Sequence, residues 1–183
     1  MITAVIDVMK KLSFTRFAIA AMALACLTGA SQTASAADPR LIGTYSDWSA
    51  YVFSENGQKV CYMASQPSKA EGNYTSRGDI FALITHRPAE SSKDVFSYIT
   101  GYTYKAGSTV TVRANNQTFK LFTQDNTAWT PDAESDRRLS DAIRRGSSLV
   151  VEGVSSRDTE TKDTFSLKGS GAAYRAISKE CGV

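Results

Sequence analysis

Hydrophobic and polar positions alternate with the period of a β-strand along most of this chain. Alternation of this kind places one set of side chains on an inner face and the other set outside. Each apolar stretch is short and is bounded by Gly, Asn, Pro or Ser, which favour turns. The predicted strands are 44–53, 59–65, 79–85, 95–104, 109–113, 117–122, 148–154 and 164–167.

Two pairs of these strands are predicted to form hairpins. Asn56-Gly57 separates the first pair, and Asn115-Asn116 separates strands 109–113 and 117–122. Asn and Gly tolerate the positive φ of two-residue hairpin turns. In the second hairpin, four residues are expected to point inward: Val110, Val112, Phe119 and Leu121.

Helical periodicity occurs twice, in the second half of the chain. The first helix follows a connector at 123–133 and can be capped by Ser135 or Asp132, and Ser170 is the expected N-cap of the second. Apolar residues three and four positions apart give each helix one buried stripe. These residues are Leu139, Ala142 and Ile143 in the first helix and Ala173, Ala176 and Ile177 in the second.

Eight or nine strands and two short helices predict a mainly β fold, an antiparallel β-sandwich or open barrel that the helices cap. Segment 79–85 is apolar on both faces, which predicts a central strand covered on each side. Segment 66–78 is polar and is expected to be a loop. Gly101 is expected to form a bulge within strand 95–104.

The first 36 residues have the organisation of a secretory signal peptide. Basic residues precede an apolar stretch at 17–27, and Ala34-Ser35-Ala36 fits a cleavage site. The expected organisation is a signal peptide at 1–36 and a single domain at 37–183. Met9 is an alternative start to Met1, and lipidation of Cys26 is the alternative to cleavage after Ala36.

The net charge and the cysteine content limit which classes of partner and which cellular compartment are expected. The predicted mature chain has 18 basic and 17 acidic residues and a net charge of +1, which gives no electrostatic footprint for nucleic acid. It has no segment apolar enough to span a bilayer and is expected to be a monomer. Its two cysteines, Cys61 and Cys181, favour a disulfide in an oxidising compartment over two buried free thiols.

Catalytic and cofactor motifs are missing from the sequence. His86 is the single histidine; as a general base it would need a nucleophile and an orienting acid such as Asp79. One histidine and two cysteines are too few for a structural zinc site. We therefore expect no cofactor and no metal, and His86 is interpreted as a residue at a strand end.

Aromatic residues are the remaining unexplained feature. Seven of the tyrosine and tryptophan residues of the mature chain could either fill the core or line an outer sheet face. They are Tyr51, Tyr62, Tyr74, Tyr98, Tyr102, Tyr104 and Trp129. If several are exposed, they would suit contact with a protein or a ligand. The predicted interaction surface consists of Tyr98, Tyr102, Tyr104 and Trp129.

The order and spacing of several short stretches resemble the invasion-associated locus B family of exported alphaproteobacterial proteins. The resemblance covers essentially the whole mature chain. The stretches that carry it are Tyr45–Trp48, Lys59–Ser65, Arg77–Asp79, Thr85–Pro88, Lys120–Phe122, Arg145–Ser147, 161–168, Ala172–Tyr174 and Cys181. It implies a small β-domain that is periplasmic, surface-associated or released, and the founding members are linked to host-cell invasion.

Three functional hypotheses follow. The first is an exported, non-enzymatic protein that contacts an unknown protein or envelope partner. The second is a small periplasmic hydrolase that uses His86, and the third is a small-ligand or lipid-binding sandwich with an apolar cavity. The family brings no catalytic residues to carry over, and the first hypothesis is favoured.

Overall fold

The computed structural model describes residues 38–183, which form eleven β-strands, two α-helices and one 3₁₀ turn at Pro88–Glu90. The predicted signal peptide, the alternative start at Met9 and Cys26 lie outside the described residues. The helices are α1 (Ala133–Arg145) and α2 (Ser170–Cys181). The strands are β1 (Arg40–Tyr45), β2 (Trp48–Glu55), β3 (Gln58–Ser65), β4 (Lys69–Gly72), β5 (Phe81–Arg87), β6 (Ser92–Ile99), β7 (Thr109–Ala114), β8 (Gln117–Gln124), β9 (Thr127–Trp129), β10 (Ser148–Val154) and β11 (Glu160–Ser166).

All eleven strands belong to one antiparallel sheet in the order β1-β2-β3-β5-β6-β9-β8-β7-β10-β11-β4. The sheet curls so that its first strands approach its last ones. At this approach the Trp48 indole N–H donates to the Ser166 carbonyl at 3.0 Å, and the Asp47 N–H donates to the Lys168 carbonyl at 3.2 Å. The strand ladder itself does not close. The predicted mainly β, antiparallel fold with two helices is confirmed, as a single curled sheet rather than two stacked sheets.

Both hairpin predictions are confirmed. Asn56 and Gly57 have φ of 51° and 76°, and Asn115 and Asn116 have φ of 46° and 60°. Positive φ at both central residues matches the twist of the flanking strands. The four inward residues predicted for the second hairpin are buried.

Three short strands were not predicted from the sequence. The two edge strands β1 and β4 have little apolar alternation; β4 lies within the segment expected to be a loop, and β9 lies within the connector expected at 123–133. Strand 95–104 ends earlier than expected, at Ile99. Gly101 lies beyond the end of this strand, so it is not a bulge within it. Its φ is 75°, and its α-carbon packs against the backbone of Gly78.

One hydrophobic core fills the inside of the curled sheet. Inward residues of neighbouring strands are aligned by register, as in the row Met63, Ile84 and Phe96. All three are fully buried, and the core is continuous from β2 to β11. The concave face of the sheet is therefore the packed interior.

The two helices cover this interior, with the predicted stripe of α1 fully buried. Asp132 caps α1 by accepting the Ser135 N–H at 2.7 Å. The predicted cap of α2 is wrong, because the Ser170 hydroxyl donates to the Ile143 carbonyl at 2.9 Å and so joins the two helices. Gly169 occupies the cap position instead, with φ of 91°.

The disulfide between Cys61 and Cys181 is present in the structure. It joins β3 to the last residue of α2, with a Cα–Cα distance of 6.0 Å and a sequence separation of 120 residues. Both cysteines are buried. The bond therefore fixes the C-terminal helix to the first half of the sheet.

Candidate functional site

The outer side of the sheet has two halves of different chemistry. On β4, β7, β10 and β11 the outward side chains are mainly polar, apart from Val150 and Val154 on β10, and several form cross-strand or neighbouring ion pairs. Arg113 pairs with Glu152 at 2.6 Å, and Lys69 pairs with Glu71 at 2.7 Å. This half has the composition expected of a sheet surface in contact with water.

The other half is apolar and aromatic, although the described residues place no second layer over it. Its outward residues come from β2, β3, β5, β6, β8 and β9 and are partly exposed; Phe122 is the most exposed, at 48%. We call this surface the aromatic face. It consists of Tyr51, Phe53, Tyr62, Phe81, Leu83, Val95, Ile99, Phe122 and Trp129.

Strand register assembles these residues into continuous rows. One row runs Tyr51, Tyr62, Thr85 and Val95 across four strands. A second row joins Leu83 through Ser97 to Trp129 and Phe122. Residues far apart in sequence thus form one patch, because each occupies an outward position of its strand.

The tyrosines within the aromatic face are ordered by ring packing. The rings of Tyr51 and Tyr62 stack with centroids 5.0 Å apart, and Phe53 packs edge-on against Tyr62 at 6.0 Å. Partial burial, and then the neighbouring Tyr51, raise the pKa of Tyr62, so its hydroxyl stays neutral and can donate a hydrogen bond. In residues 38–183 neither tyrosine hydroxyl has a hydrogen-bond partner, which leaves both free for a bound molecule.

Charged side chains are confined to the rim of the aromatic face. The positions between its apolar residues are uncharged. At one end Arg87 pairs with Glu55, and Lys120 lies beside Phe122 on the same strand. Depletion of charge together with Tyr, Trp and Phe is the composition of the centre of a protein–protein interface.

The dimensions of the aromatic face fit the same interpretation. Six neighbouring strands span about 24 Å, and the rows span about 14 Å along the strands. This gives a flat footprint of roughly 340 Å², within the range of the largest apolar patches on single domains, which are often functional. A standard interface covers about 800 Å² on each partner, so the face can form its apolar centre with a polar rim around it.

The predicted interaction surface needs correction. Tyr98 and Tyr104 are only 1% and 4% exposed, so neither can belong to an exposed surface. Tyr98 shares the inward row of Ala82 and Ala128, and its hydroxyl donates to Asp163. Tyr102 is partly buried. Trp129 lies on the aromatic face, because it occupies an outward position of β9.

The predicted cover over both faces of segment 79–85 is also wrong for the described residues. β5 is an interior strand of the sheet, but Phe81 and Leu83 remain partly exposed on its outer side. The double-sided apolar pattern was therefore the sequence signal for the aromatic face. The same pattern is typical of strands covered on both sides, so it does not by itself distinguish a buried strand from a partly exposed one.

Buried Tyr98 belongs to a polar network inside the sheet. Arg77 forms a two-pronged ion pair with Asp163, with N–O distances of 2.8 and 2.7 Å, and both side chains are nearly fully buried. Arg77 also donates to the Thr100 carbonyl at 2.6 Å and to the Tyr98 hydroxyl at 3.1 Å. Burial disfavours the charged form of Arg77, but Asp163 outweighs it and the Arg77 pKa is raised, so the pair stays ionised.

His86 is arranged as a structural residue rather than a general base. It is fully buried, with Nε2 3.2 Å from the Ser178 hydroxyl and Nδ1 4.0 Å from the Asp94 carboxylate. The Asp94 N–H donates to Nδ1 at 3.1 Å, so Nδ1 is an acceptor and the neutral ring carries its proton on Nε2. Such a ring donates to Ser178 and cannot remove its proton, despite the likeness to a serine triad.

Burial is the main cause of a lowered pKa for His86, and the nearby Asp94 only partly opposes it. The ring is therefore neutral at pH 7. Asp79, the acid suggested as its partner, is exposed and contributes none of these contacts. The Asp94 carboxylate is instead held by the Tyr174 hydroxyl at 2.5 Å.

His86 lines none of the four best-formed clefts on residues 38–183. All four open to solvent, so none is the enclosed apolar cavity that a lipid-binding sandwich would need. No three His, Cys, Asp or Glu side chains of this part of the chain form a metal-binding cluster. Neither of its helices is long and apolar enough to cross a membrane.

Comparison with known proteins gives one family and one structure. Residues 48–178 match the family model described as Invasion associated locus B (IalB) protein. The crystal structure of invasion associated protein B from Bartonella henselae is similar in fold, with a TM-score of 0.51 and 16% sequence identity over 75% of this chain and 95% of that chain. No curated protein matches the sequence.

Proposed function

This chain belongs to the invasion associated locus B family, and from that premise we propose that it is an exported, non-enzymatic protein that binds another protein through its aromatic face. The single observation that carries the proposal is the contrast between the two outer halves of one sheet. A surface facing only water would be mainly polar, as it is on β7, β10 and β11, where Val150 and Val154 are the apolar exceptions. The aromatic half has the composition of an interface instead.

Export is supported by the sequence and by the buried disulfide. We propose a signal peptide at 1–36 and a mature domain at 37–183, located in the periplasm or at the outer surface. A disulfide of this kind is typical of oxidising compartments. N-terminal sequencing of the exported protein tests the cleavage site, and a start other than residue 37 or 38 would contradict it.

The proposed occupant of the aromatic face is a folded protein with an apolar patch and hydrogen-bond acceptors for the two tyrosine hydroxyls. A membrane surface fits less well, because the rim of the face has few basic residues to attract anionic lipids and Glu55 neutralises one of them, Arg87. The mature charge of about +1 adds no attraction.

The proposal is tested by chemical cross-linking in the native bacterium. Phe122→Glu places a charge at the most exposed position of the aromatic face, and Val150→Glu places the same charge at an outward position of β10, two strands away from β8, as a matched control. Because both positions are solvent-accessible, neither change should affect folding. We expect one heteromeric complex with the wild type and with Val150→Glu, and its loss with Phe122→Glu.

The partner must then be identified and purified. We expect it to bind Phe122→Glu at least about tenfold more weakly than wild type, since a charge at an apolar interface centre loses more than about 1.4 kcal/mol. An unchanged complex with Phe122→Glu, equal loss with Val150→Glu, or a complex containing only copies of this chain would each contradict the proposal.

A further inference from the structure

A polar cleft of about 660 Å³ lies next to the buried Arg77–Asp163 pair. One wall is the segment from Asn73 to Gly78, and the opposite wall is the turn from Ser155 to Thr159. The volume is in the range of small-molecule sites. The described residues give this cleft no role in packing.

The first wall is held rigid from beneath. Arg77 makes its ion pair and three further hydrogen bonds inside the sheet, so the segment that carries it has one fixed position. Gly78 is joined to Gly101 by a backbone hydrogen bond of 2.9 Å. A buried ion pair contributes little net stability compared with an apolar pair, but it fixes a conformation. The cleft wall is therefore pre-organised.

The second wall is fixed by the turn that follows β10. The Ser155 hydroxyl accepts the N–H groups of Arg157 and Thr159, both at 3.2 Å. Tyr104 forms an isolated β-bridge with Ser155. The Asp158 carboxylate is paired with Lys105, whereas Arg157 is exposed and has no ion-pair partner among residues 38–183. Arg157 thus faces the cleft with a free charge.

The free groups of the cleft define the chemistry of a ligand. No carboxylate lines it, and the charge of Arg77 is neutralised by Asp163, so Arg157 supplies its net positive charge. Six lining side chains make no hydrogen bond within the described part of the chain and can act as donors and acceptors: Asn73, Thr75, Ser76, Thr103, Ser156 and Thr159. A ligand that matches them has many hydroxyl groups and one negative charge.

We propose that this cleft binds a saccharide unit that carries an anionic group, with Arg157 holding the anion and the surrounding hydroxyl and amide groups holding the sugar. A nucleotide fits less well, since the rings of Tyr74 and Tyr102 both pack against the Arg77 guanidinium, at 5.5 and 4.9 Å, rather than offering stacking faces. An apolar peptide side chain would find no apolar wall. The anion can be a carboxylate or a phosphate, because arginine binds both.

The test is an NMR titration of ¹⁵N-labelled protein, purified after export from its full-length gene. The probes are D-glucuronic acid, D-glucose 6-phosphate, D-glucose and inorganic phosphate at equal concentrations. At least one of the two anionic sugars should shift the amides of 73–77 and 155–159, with a Kd of about 1 mM for a ligand of this size. Glucose and inorganic phosphate should each bind at least about tenfold more weakly.

Arg157→Gln should weaken binding of the anionic sugar at least about tenfold, because it removes a charge-assisted contact. Arg113→Gln is the matched control, since Arg113 is paired with Glu152 on the polar half and should leave the titration unchanged. Four results would overturn the inference: no shift at these amides with either anionic sugar, equal binding of glucose, equal binding of inorganic phosphate, or no effect of Arg157→Gln.

Discussion

Breaking the Cys61–Cys181 bond should lower the free energy of unfolding by about 5 kcal/mol at 25 °C. The bond joins residues 120 positions apart, and the entropy of closing a loop of that length in the unfolded chain gives this magnitude. Domains of this size are typically stable by about 5–15 kcal/mol, so the loss is a large share of the total.

The native state should survive without the bond. Helix α2 also packs through Ala173 and Ile177, both fully buried, and Lys59 donates to the Glu180 carbonyl at 3.0 Å. Loss of the disulfide therefore acts mainly by increasing the conformational entropy of the unfolded chain. Reduction should leave the native NMR spectrum in place and raise the urea m-value, since a chain without the cross-link exposes more surface on unfolding.

The assay is urea unfolding of the oxidised protein, the same protein reduced with dithiothreitol, and the Cys61→Ala/Cys181→Ala variant. Reduced wild type isolates the cross-link, because it keeps both sulfur atoms and creates no cavity. The double variant should be less stable still, by the packing lost with each sulfur. A reduced protein within about 1 kcal/mol of the oxidised one would refute the loop-closure reasoning.

Three further changes test the interior. Asp163→Asn should lower the free energy of unfolding by about 3–5 kcal/mol by leaving the Arg77 charge unpaired, while Arg77→Met with Asp163→Leu should cost far less; urea titrations compare them. Burial lowers the pKa of His86 in the folded state, so as the pH falls the unfolded chain binds a proton there before the folded chain does. The free energy of unfolding should therefore decrease below about pH 6.5, by up to about 1.4 kcal/mol per pH unit. In thermal melts, His86→Gln should remove this pH dependence. Gly169→Ala should cost about 3 kcal/mol or more in the same melts, since φ is 91° and a new methyl carbon would lie 1.8 Å from a backbone oxygen. Gly107→Ala, with φ of 70° and open space, should cost only about 1 kcal/mol.

The sequence was informative wherever structure depends on local chemistry. Alternation found eight of the eleven strands, although β11 begins at Glu160 and not at the predicted residue 164. The Asn-Gly and Asn-Asn turns found both hairpins, because turn type is decided by the residues within it. The edge strands β1 and β4 are held by their neighbours rather than by their own residues, and only the assembled sheet defines them. The prediction that Ser170 caps α2 is wrong because a cap is a contact with neighbouring residues of the sequence. The Ser170 hydroxyl instead bonds to the distant Ile143 carbonyl, which the sequence pattern does not show.

The aromatic face could be predicted only in part. The pattern showed an excess of aromatic residues and an apolar strand at 79–85, but it could not show whether a second layer covers them. Tyr98 and Trp129 were placed on the same surface, and only strand parity, known after register, puts them on opposite sides of the sheet. The Arg77–Asp163 pair joins residues 86 positions apart and had no local signal.

Site-specific photo-cross-linking in living cells tests the central proposal most directly. A photoreactive phenylalanine analogue at position 122, on the aromatic face, should form a covalent adduct with one other protein, and the same analogue at position 150, on the polar half and two strands away, should not. Adding Tyr62→Glu to the first variant should abolish the adduct while the protein remains folded. Equal adducts from both positions, or none from position 122 in cells that express and export the protein, would contradict the assignment of the aromatic face as a binding surface.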